Sequence, residues 1–193
     1  MRKPRTNSEK SQATIVDAAL ALLRERGASK VTVGDVAAAS GCAKGLIHYH
    51  FKTKGRLWVA VAERLAAERR EGWIAVFDSA TPTQAVERSW ALLVSESGDG
   101  TLRAWTSLFG SGTSLPEQLV SSSLTEFSEA LGAAVSSMFE SHGAALRIGE
   151  AELGWFLGSV VAGVGYLLLA GAAVPELEGA YTTAWLGVLS LTA

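Results

Sequence analysis

The sequence predicts an all-α protein of about nine helices. Apolar residues recur at intervals of three and four along most of the 193-residue chain, and few stretches show the period of two that is typical of strands. Only four prolines interrupt the pattern, and 48% of the residues are hydrophobic, so a chain of this length can bury a real core.

Local signals mark the ends of the first helices. Gly27 is expected to end the first helix, because glycine adopts a positive φ without a Cβ clash. Thr32 and Asp35 stand at capping-box spacing and predict the start of a short second helix, which Gly41 ends. A third helix is expected over about 43–49.

The later helices begin at similar signals. Pro82, Pro116 and Pro175 suit the first turn of a helix, and Asp99 is a suitable N-cap. The predicted helices therefore span about 8–26, 32–40, 43–49, 54–77, 82–95, 99–109, 116–141, 149–173 and 175–191, with a glycine- and serine-rich loop at 110–114.

Charge is distributed unevenly along the chain. Residues 1–56 contain eleven Lys or Arg and four Asp or Glu, whereas the remainder contains six and fifteen. A basic N-terminal segment followed by an acidic remainder indicates that the N-terminal segment binds a polyanion. We therefore divide the chain into a basic N-terminal domain over 1–55 and an acidic domain over 56–193.

The composition also bears on localisation. A lone cysteine, Cys42, excludes an intramolecular disulfide and fits a reducing cytoplasm. The basic N-terminus has no apolar run behind it, unlike a secretory signal. Leu153–Val174 carries no charge and is long enough to span a bilayer, but acidic residues flank it and no basic anchor follows. We expect no membrane association. A small membrane-associated helical protein built around this segment is the alternative function.

Two short helices joined at a glycine, with a helix before them, predict a helix-turn-helix between about Val31 and Phe51. The second helix of this motif enters the major groove. Lys44 in its first turn can donate to guanine O6 and N7, and Gly45 allows a close backbone approach. The predicted DNA-binding residues are Thr32, Lys44, Gly45, Leu46, His48, Tyr49, His50 and Lys54.

The segment VTVGDVAAASGCAKGLIHYHFKTKGRL resembles the signature of the TetR family of bacterial repressors. The matching positions are Thr32, Val33, Val36, Ala37, Gly41, Gly45, Ile47, Tyr49, His50, Phe51, Lys54 and Leu57. Three positions depart from it: Ala43 replaces the usual serine, Cys42 the usual valine, and His48 an aromatic residue. The resemblance implies that residues 1–55 form a DNA-binding domain and that residues 56–193 form a ligand-binding and dimerisation domain. It also implies an effector pocket in this larger domain and a homodimer formed by the last two helices.

The uncharged helix contains a stripe of small residues that would let helix backbones approach closely. This stripe and one face of the last helix form the predicted dimer interface, which comprises Gly154, Gly158, Ala162, Gly165, Tyr181 and Trp185.

Large apolar residues, most of them aromatic, are candidates for an apolar effector pocket, although ordinary core packing is the commoner role for any one of them. The candidates are Trp73, Phe77, Trp90, Trp105, Phe109, Phe127, Leu131 and Trp155, with Arg103 as a polar anchor.

These observations predict a ligand-responsive regulator that binds a palindromic, double-stranded operator as a homodimer and is released by a small hydrophobic effector. A catalytic role is not expected, because no nucleophile, base and orienting group form a cluster. Cys42, His48 and His50 lack a fourth metal ligand, so neither a metal nor another cofactor is expected.

Overall fold

The computed structural model describes residues 7–110 and 115–192 and confirms the all-α fold. Nine α-helices lie within these ranges: α1 (Asn7–Arg26), α2 (Val33–Ser40), α3 (Lys44–Phe51), α4 (Lys54–Phe77), α5 (Pro82–Gly98), α6 (Thr101–Phe109), α7 (Glu117–Ser141), α8 (Glu150–Leu169) and α9 (Val174–Leu189). A single 3₁₀ turn covers Ala28–Lys30. Residues 111–114 of the predicted loop lie outside the described part of the chain, as do the first six residues of the basic N-terminal segment.

The capping box and the glycine terminator predicted for α2 form as expected. The backbone N–H of Asp35 donates to Thr32 Oγ1 at 3.2 Å, and the Thr32 N–H donates to Asp35 Oδ2 at 2.7 Å. Gly41 ends α2 in the left-handed conformation, at φ 66°. A second capping box, between Thr81 and Gln84, begins α5 one residue before the predicted proline signal.

The chain forms two compact units that differ from the predicted division at residues 55 and 56. The first unit contains the described residues up to Leu65 together with Arg103–Val120. Its core includes Leu57, Trp58 and Val61, which are buried at the start of α4. A helical segment belongs to whichever unit buries its apolar side, so the two units meet between Leu65 and Ala66, further along α4 than its first turn.

The second unit contains Ala66–Leu102 and the described residues from Ser121 onwards. Its core joins the second half of α4 with α5, α7, α8 and α9, and is rich in aromatic side chains such as Trp73, Phe127 and Trp185. A buried ion pair also lies in this unit, because Arg69 Nε is 3.0 Å from Glu96 Oε1 and both side chains are almost completely enclosed. The indole N–H of Trp73 donates to the same oxygen at 3.0 Å.

The uncharged run Leu153–Val174 is not one continuous helix. α8 ends at Leu169, Gly171 adopts φ 86°, and α9 begins at Val174. Within the described residues, one helix, Glu150–Leu169, is long and apolar enough to cross a membrane by length and composition. Its apolar side instead enters a protein core through Leu153, Leu157 and Val161, so the membrane-associated alternative is not favoured.

The small-residue stripe on α8 does not form a free surface, which corrects the predicted interface. A Cβ on Gly154 would collide with the carbonyl of Ser128, and one on Gly158 would lie 2.9 Å from Ser128 Oγ. Gly165 faces Leu93 and Leu102 instead. These glycines therefore allow α8 to approach other helices of its own unit.

The two aromatic residues predicted at the interface on α9 are also internal. Tyr181 is 1% exposed and its hydroxyl donates to Ser89 Oγ at 2.8 Å, while burial raises the pKa of the phenol. Trp185 is 3% exposed and its ring centroid lies 5.9 Å from that of Phe77. Ala162 alone of the six predicted interface residues lies on the exposed side of its helix.

Candidate nucleic-acid interface and effector groove

Helix α3 has one buried and one exposed side. Ile47 and Phe51, four residues apart, are 2% and 4% exposed and fix the helix to the core of the first unit. Lys44, His48 and Tyr49 lie on the exposed side. This is the arrangement that a recognition helix requires, because base-reading side chains must be free while the helix itself is held rigidly.

The start of α3 is open to an approaching macromolecule. Gly45 has no neighbouring heavy atom within 4 Å of a Cβ built on it. The Lys44 side chain extends over α2. Its Nζ lies 3.3 Å from the position that a Cβ atom would occupy if Gly34 had one. Ala43 is the N-cap and provides no side-chain hydrogen bond, so the first N–H groups of α3 lack the cap that serine would supply.

Cationic and aromatic groups cluster where α3 ends and α4 begins. Tyr49 is 66% exposed, and Lys52 Nζ lies 5.3 Å from its ring centroid. Lys54 Nζ lies 5.3 Å from the ring centroid of Trp58 at the start of α4. Ammonium groups and a phenol hydroxyl are suitable donors to phosphate oxygens. Lys52 has a positive φ of 62°, which turns the chain between the two helices.

The other predicted DNA-binding residues are less free. The Thr32 hydroxyl donates to Asp35 Oδ2 at 2.6 Å, so it serves the capping box of α2. Leu46 is half-buried. The His50 ring is also half-buried, and its Nε2 is enclosed without a hydrogen-bond partner in the described residues.

Arg103 does not act as the predicted polar anchor of an effector pocket. Its guanidinium donates to the carbonyl of Arg24 at 2.8 Å and to that of Glu25 at 3.2 Å. It therefore satisfies free carbonyls at the C-terminal end of α1, where a positive charge also complements the helix dipole. In the same unit, Ser107 Oγ accepts from the Ala28 N–H at 3.1 Å.

The predicted pocket residues fall into three groups. Five share the core of the second unit: Trp73, Phe77, Trp90, Phe127 and Leu131. Trp105 and Phe109 belong to the first unit, where their rings stack at 4.1 Å. Trp155 is 49% exposed on α8. Aromatic residues satisfy a core and a ligand equally well, so their type alone does not locate a cavity.

The second unit has a groove of about 600 Å³ between the C-terminal ends of α4 and α7. Phe77 is the one aromatic candidate that lines it. The remaining lining residues are Glu71, Ile74, Ala75, Asp78, Ser79, Ala134, Ser137, Met138 and Ser141. Sequence reasoning missed this groove because its polar rim comes from ordinary exposed residues at helix ends. Residues 7–110 and 115–192 contain no group of three or more His, Cys, Asp or Glu side chains that could hold a metal ion.

The geometry of α1 to α3 defines a helix-turn-helix protein, and comparison with known proteins specifies the class. Residues 15–61 match the family described as bacterial regulatory proteins, tetR family. The match is confined to the N-terminal region of the chain, which contains α2, α3 and parts of α1 and α4.

Curated relatives support the same assignment. The chain is 34% identical over 62 residues to the transcriptional regulator AcrR of Shigella flexneri, a match covering 32% of this chain and 29% of AcrR. It is also 34% identical over 88 residues to the transcriptional repressor Rv3405c of Mycobacterium tuberculosis, with 46% and 45% of the two chains covered. The matches therefore span less than half the length of these relatives, which are named as regulators and not as enzymes.

Solved structures extend the likeness in fold to nearly the whole chain. A TetR-family regulator from Mesorhizobium loti superposes with a TM-score of 0.77 at 15% identity, covering 98% of this chain and all of that one. A transcriptional regulator from Saccharomonospora viridis, solved in complex with choline, superposes with a TM-score of 0.67 at 18% identity, covering 91% and 95%. Both units therefore have the fold of TetR-family regulators.

Proposed function

We propose that this protein is a homodimeric, ligand-released transcriptional repressor that acts in the cytoplasm on a palindromic operator. The observation that carries the proposal is the exposed side of α3, where Lys44 and His48 are accessible to solvent while Ile47 and Phe51 anchor the helix. Lys44 would contact base edges, and Tyr49, Lys52 and Lys54 would contact phosphates. The basic N-terminal segment adds sequence-independent attraction to DNA.

A dimer is supported by exposed apolar residues on α8 and α9. We define the outer face of these helices by Trp155, Phe156, Tyr166, Leu167 and Leu186, each at least 44% exposed. Large apolar side chains concentrated on two neighbouring helices are typical of an interface. A second copy of the chain would bury this face in an isologous contact and place two recognition helices on one duplex.

Release by a small molecule is supported by two features: the groove in the second unit, and helices that continue from one unit into the other. Helices α4, α6 and α7 each contribute residues to both units. A ligand that prefers one arrangement of these helices would therefore change the population of the DNA-binding state, by no more than its preference for that arrangement. A relative of this fold solved with choline shows that the fold can hold a small molecule.

The test is selection of binding sites from random duplexes by the purified full chain. We expect enrichment of an inverted repeat with half-sites about one helical turn apart. A variant with Lys44→Ala and Tyr49→Phe, in which the buried side of α3 is intact, should lose the enrichment while keeping its helical content. Selection that enriches no inverted repeat would contradict the proposal.

A further inference from the structure

The charged side chains that line the groove between α4 and α7 are all acidic. Glu71 and Asp78 lie on its rim, and none of the lining residues is basic. Neither carboxylate forms an ion pair within the described part of the chain. Among the same residues, the Asp78 carboxylate accepts one hydrogen bond, from the hydroxyl of its neighbour Ser79, with Ser79 Oγ 3.5 Å from Asp78 Oδ1. Both negative charges are therefore available to a ligand.

Two helix ends add to this field. α4 ends at Phe77 and α7 ends at Ser141, and both residues line the groove. The C-terminus of a helix carries the equivalent of about half a negative charge. The ends of two long helices and two carboxylates thus all favour a positive charge in the same place.

The floor of the groove is apolar. Phe77 and Met138 are 3% and 4% exposed and form its base, and Ile74 supplies an apolar wall. A volume of about 600 Å³ lies within the range of small-molecule sites. An aromatic ring attracts a cation through its quadrupole, and a thioether is polarisable, so both are good neighbours for a cation with an apolar body.

We infer that this groove binds an organic cation with an apolar body, such as a quaternary ammonium compound, and not the neutral hydrophobic molecule that the sequence predicts. The inference deepens the proposed function, because the cation would be the effector. Apolar atoms of the ligand would cover Phe77 and Met138, and its charge would lie between Glu71 and Asp78.

Binding of three matched probes to the full chain tests the inference. Phenyltrimethylammonium is the cation, tert-butylbenzene is its uncharged isostere, and benzoate is the anion, each followed by ligand-observed NMR. We expect the cation to bind about tenfold more tightly than the isostere, and benzoate to show no binding. Failure of the cation to bind at millimolar concentration, or binding of benzoate with equal affinity, would overturn the inference.

Variants locate the site. Glu71→Gln should weaken binding of the cation about threefold, and the double variant with Asp78→Asn about tenfold, as expected for exposed charges. Glu87→Gln is the matched control, since Glu87 is exposed on α5 outside the groove. Ser137→Trp places a bulky side chain at an exposed lining position and should abolish binding without unfolding the protein. Unchanged affinity in the double variant or in Ser137→Trp would place the ligand elsewhere and overturn the inference.

Operator affinity, measured with and without phenyltrimethylammonium, separates the two proposals. A protein that selects an operator but does not bind the cation remains a repressor without this site. A protein that binds the cation in the groove without any change in operator affinity has the site, but the cation is then not its effector.

Discussion

Gly132 and Gly154 lie where α7 crosses α8, and neither position has room for a methyl group. A Cβ on Gly132 would collide with the carbonyl of Glu150, and one on Gly154 would collide with the carbonyl of Ser128. The obstructing atoms are backbone atoms, which cannot move aside as a flexible side chain would. The close approach of these helices therefore depends on both glycines.

Gly154→Ala is expected to lower the free energy of unfolding by about 1–3 kcal/mol, because overpacking forces the two backbones apart. Gly72→Ala is the control: Gly72 lies inside α4 with nothing within 4 Å of its Cβ position. That substitution should stabilise the protein by about 0.5–1 kcal/mol, since alanine favours a helix more than glycine does. Denaturant unfolding measures both, and equal effects of the two variants would contradict the proposed contact.

Glu96→Ala is expected to destabilise the second unit by about 3–5 kcal/mol, because it leaves the buried Arg69 guanidinium without its carboxylate. The substitution also removes the acceptor of the Trp73 indole N–H. Glu87→Ala, on the exposed side of the same helix, should change stability by less than about 0.5 kcal/mol. Thermal unfolding of the two variants measures this difference. A small effect of Glu96→Ala would show that the buried ion pair contributes little to the stability of the second unit.

Lys54→Ala should weaken binding to all DNA sequences alike and lower the slope of log affinity against log salt by about one unit per subunit, since phosphates carry no sequence information. Lys44→Ala should instead relax the preference at one base pair, at a cost of about 1–3 kcal/mol for a bidentate contact. Arg88→Ala is the control, because Arg88 is exposed on α5 in the second unit. Fluorescence anisotropy over a salt series measures each slope. A slope that stays the same without Lys54 would exclude its phosphate contact.

Leu186→Glu should convert the dimer to monomers and weaken operator binding, because a carboxylate would be buried in the proposed interface and the two half-sites would no longer be linked. Leu186 is 59% exposed in the single chain, so the fold itself should tolerate the change. Leu124→Glu makes the same substitution at another exposed leucine, on α7, and should leave the dimer intact. Light scattering gives the masses; a dimeric Leu186→Glu variant would place the interface on another surface.

Asp35 should make the start of α2 sensitive to acid. The pKa of its carboxyl is lowered chiefly by the hydrogen bond from the Thr32 side chain, and also by the Thr32 backbone N–H. A lowered pKa in the folded state means that the stabilisation is present above the unfolded pKa of about 3.9 and is lost as pH falls through the folded value. The difference in Tm between the wild type and Asp35→Asn should therefore shrink on acidification below about pH 4. A difference that is constant from pH 6 to pH 3 would argue against the ionised cap.

The local sequence predicted the helix-turn-helix well, because its signals act over a few residues. The Thr32 and Asp35 capping box, the left-handed Gly41 and the buried spacing of Ile47 and Phe51 depend only on neighbours along the chain. The same locality accounts for the other helix boundaries, most of which lie within a few residues of the predicted ones. Prediction was poorer for the end of α8. The uncharged run continues through Gly171 without a local signal for a turn, so the helix was predicted to extend to residue 173 although it ends at Leu169.

The sequence by itself thus determined the fold class, the helices and the recognition helix, whereas only the tertiary structure decided which side of each apolar helix faces inwards. α8 is apolar on all sides, so its periodicity does not distinguish the buried Gly154 and Val161 from the exposed Tyr166 and Leu167. For the same reason, aromatic residues of the core were predicted to line a pocket, and the groove between α4 and α7 was not predicted. A groove arises from the meeting of residues such as Asp78 and Ser137, which lie far apart in the sequence. Their proximity is set by the packing of two helices, a long-range property that no local pattern encodes.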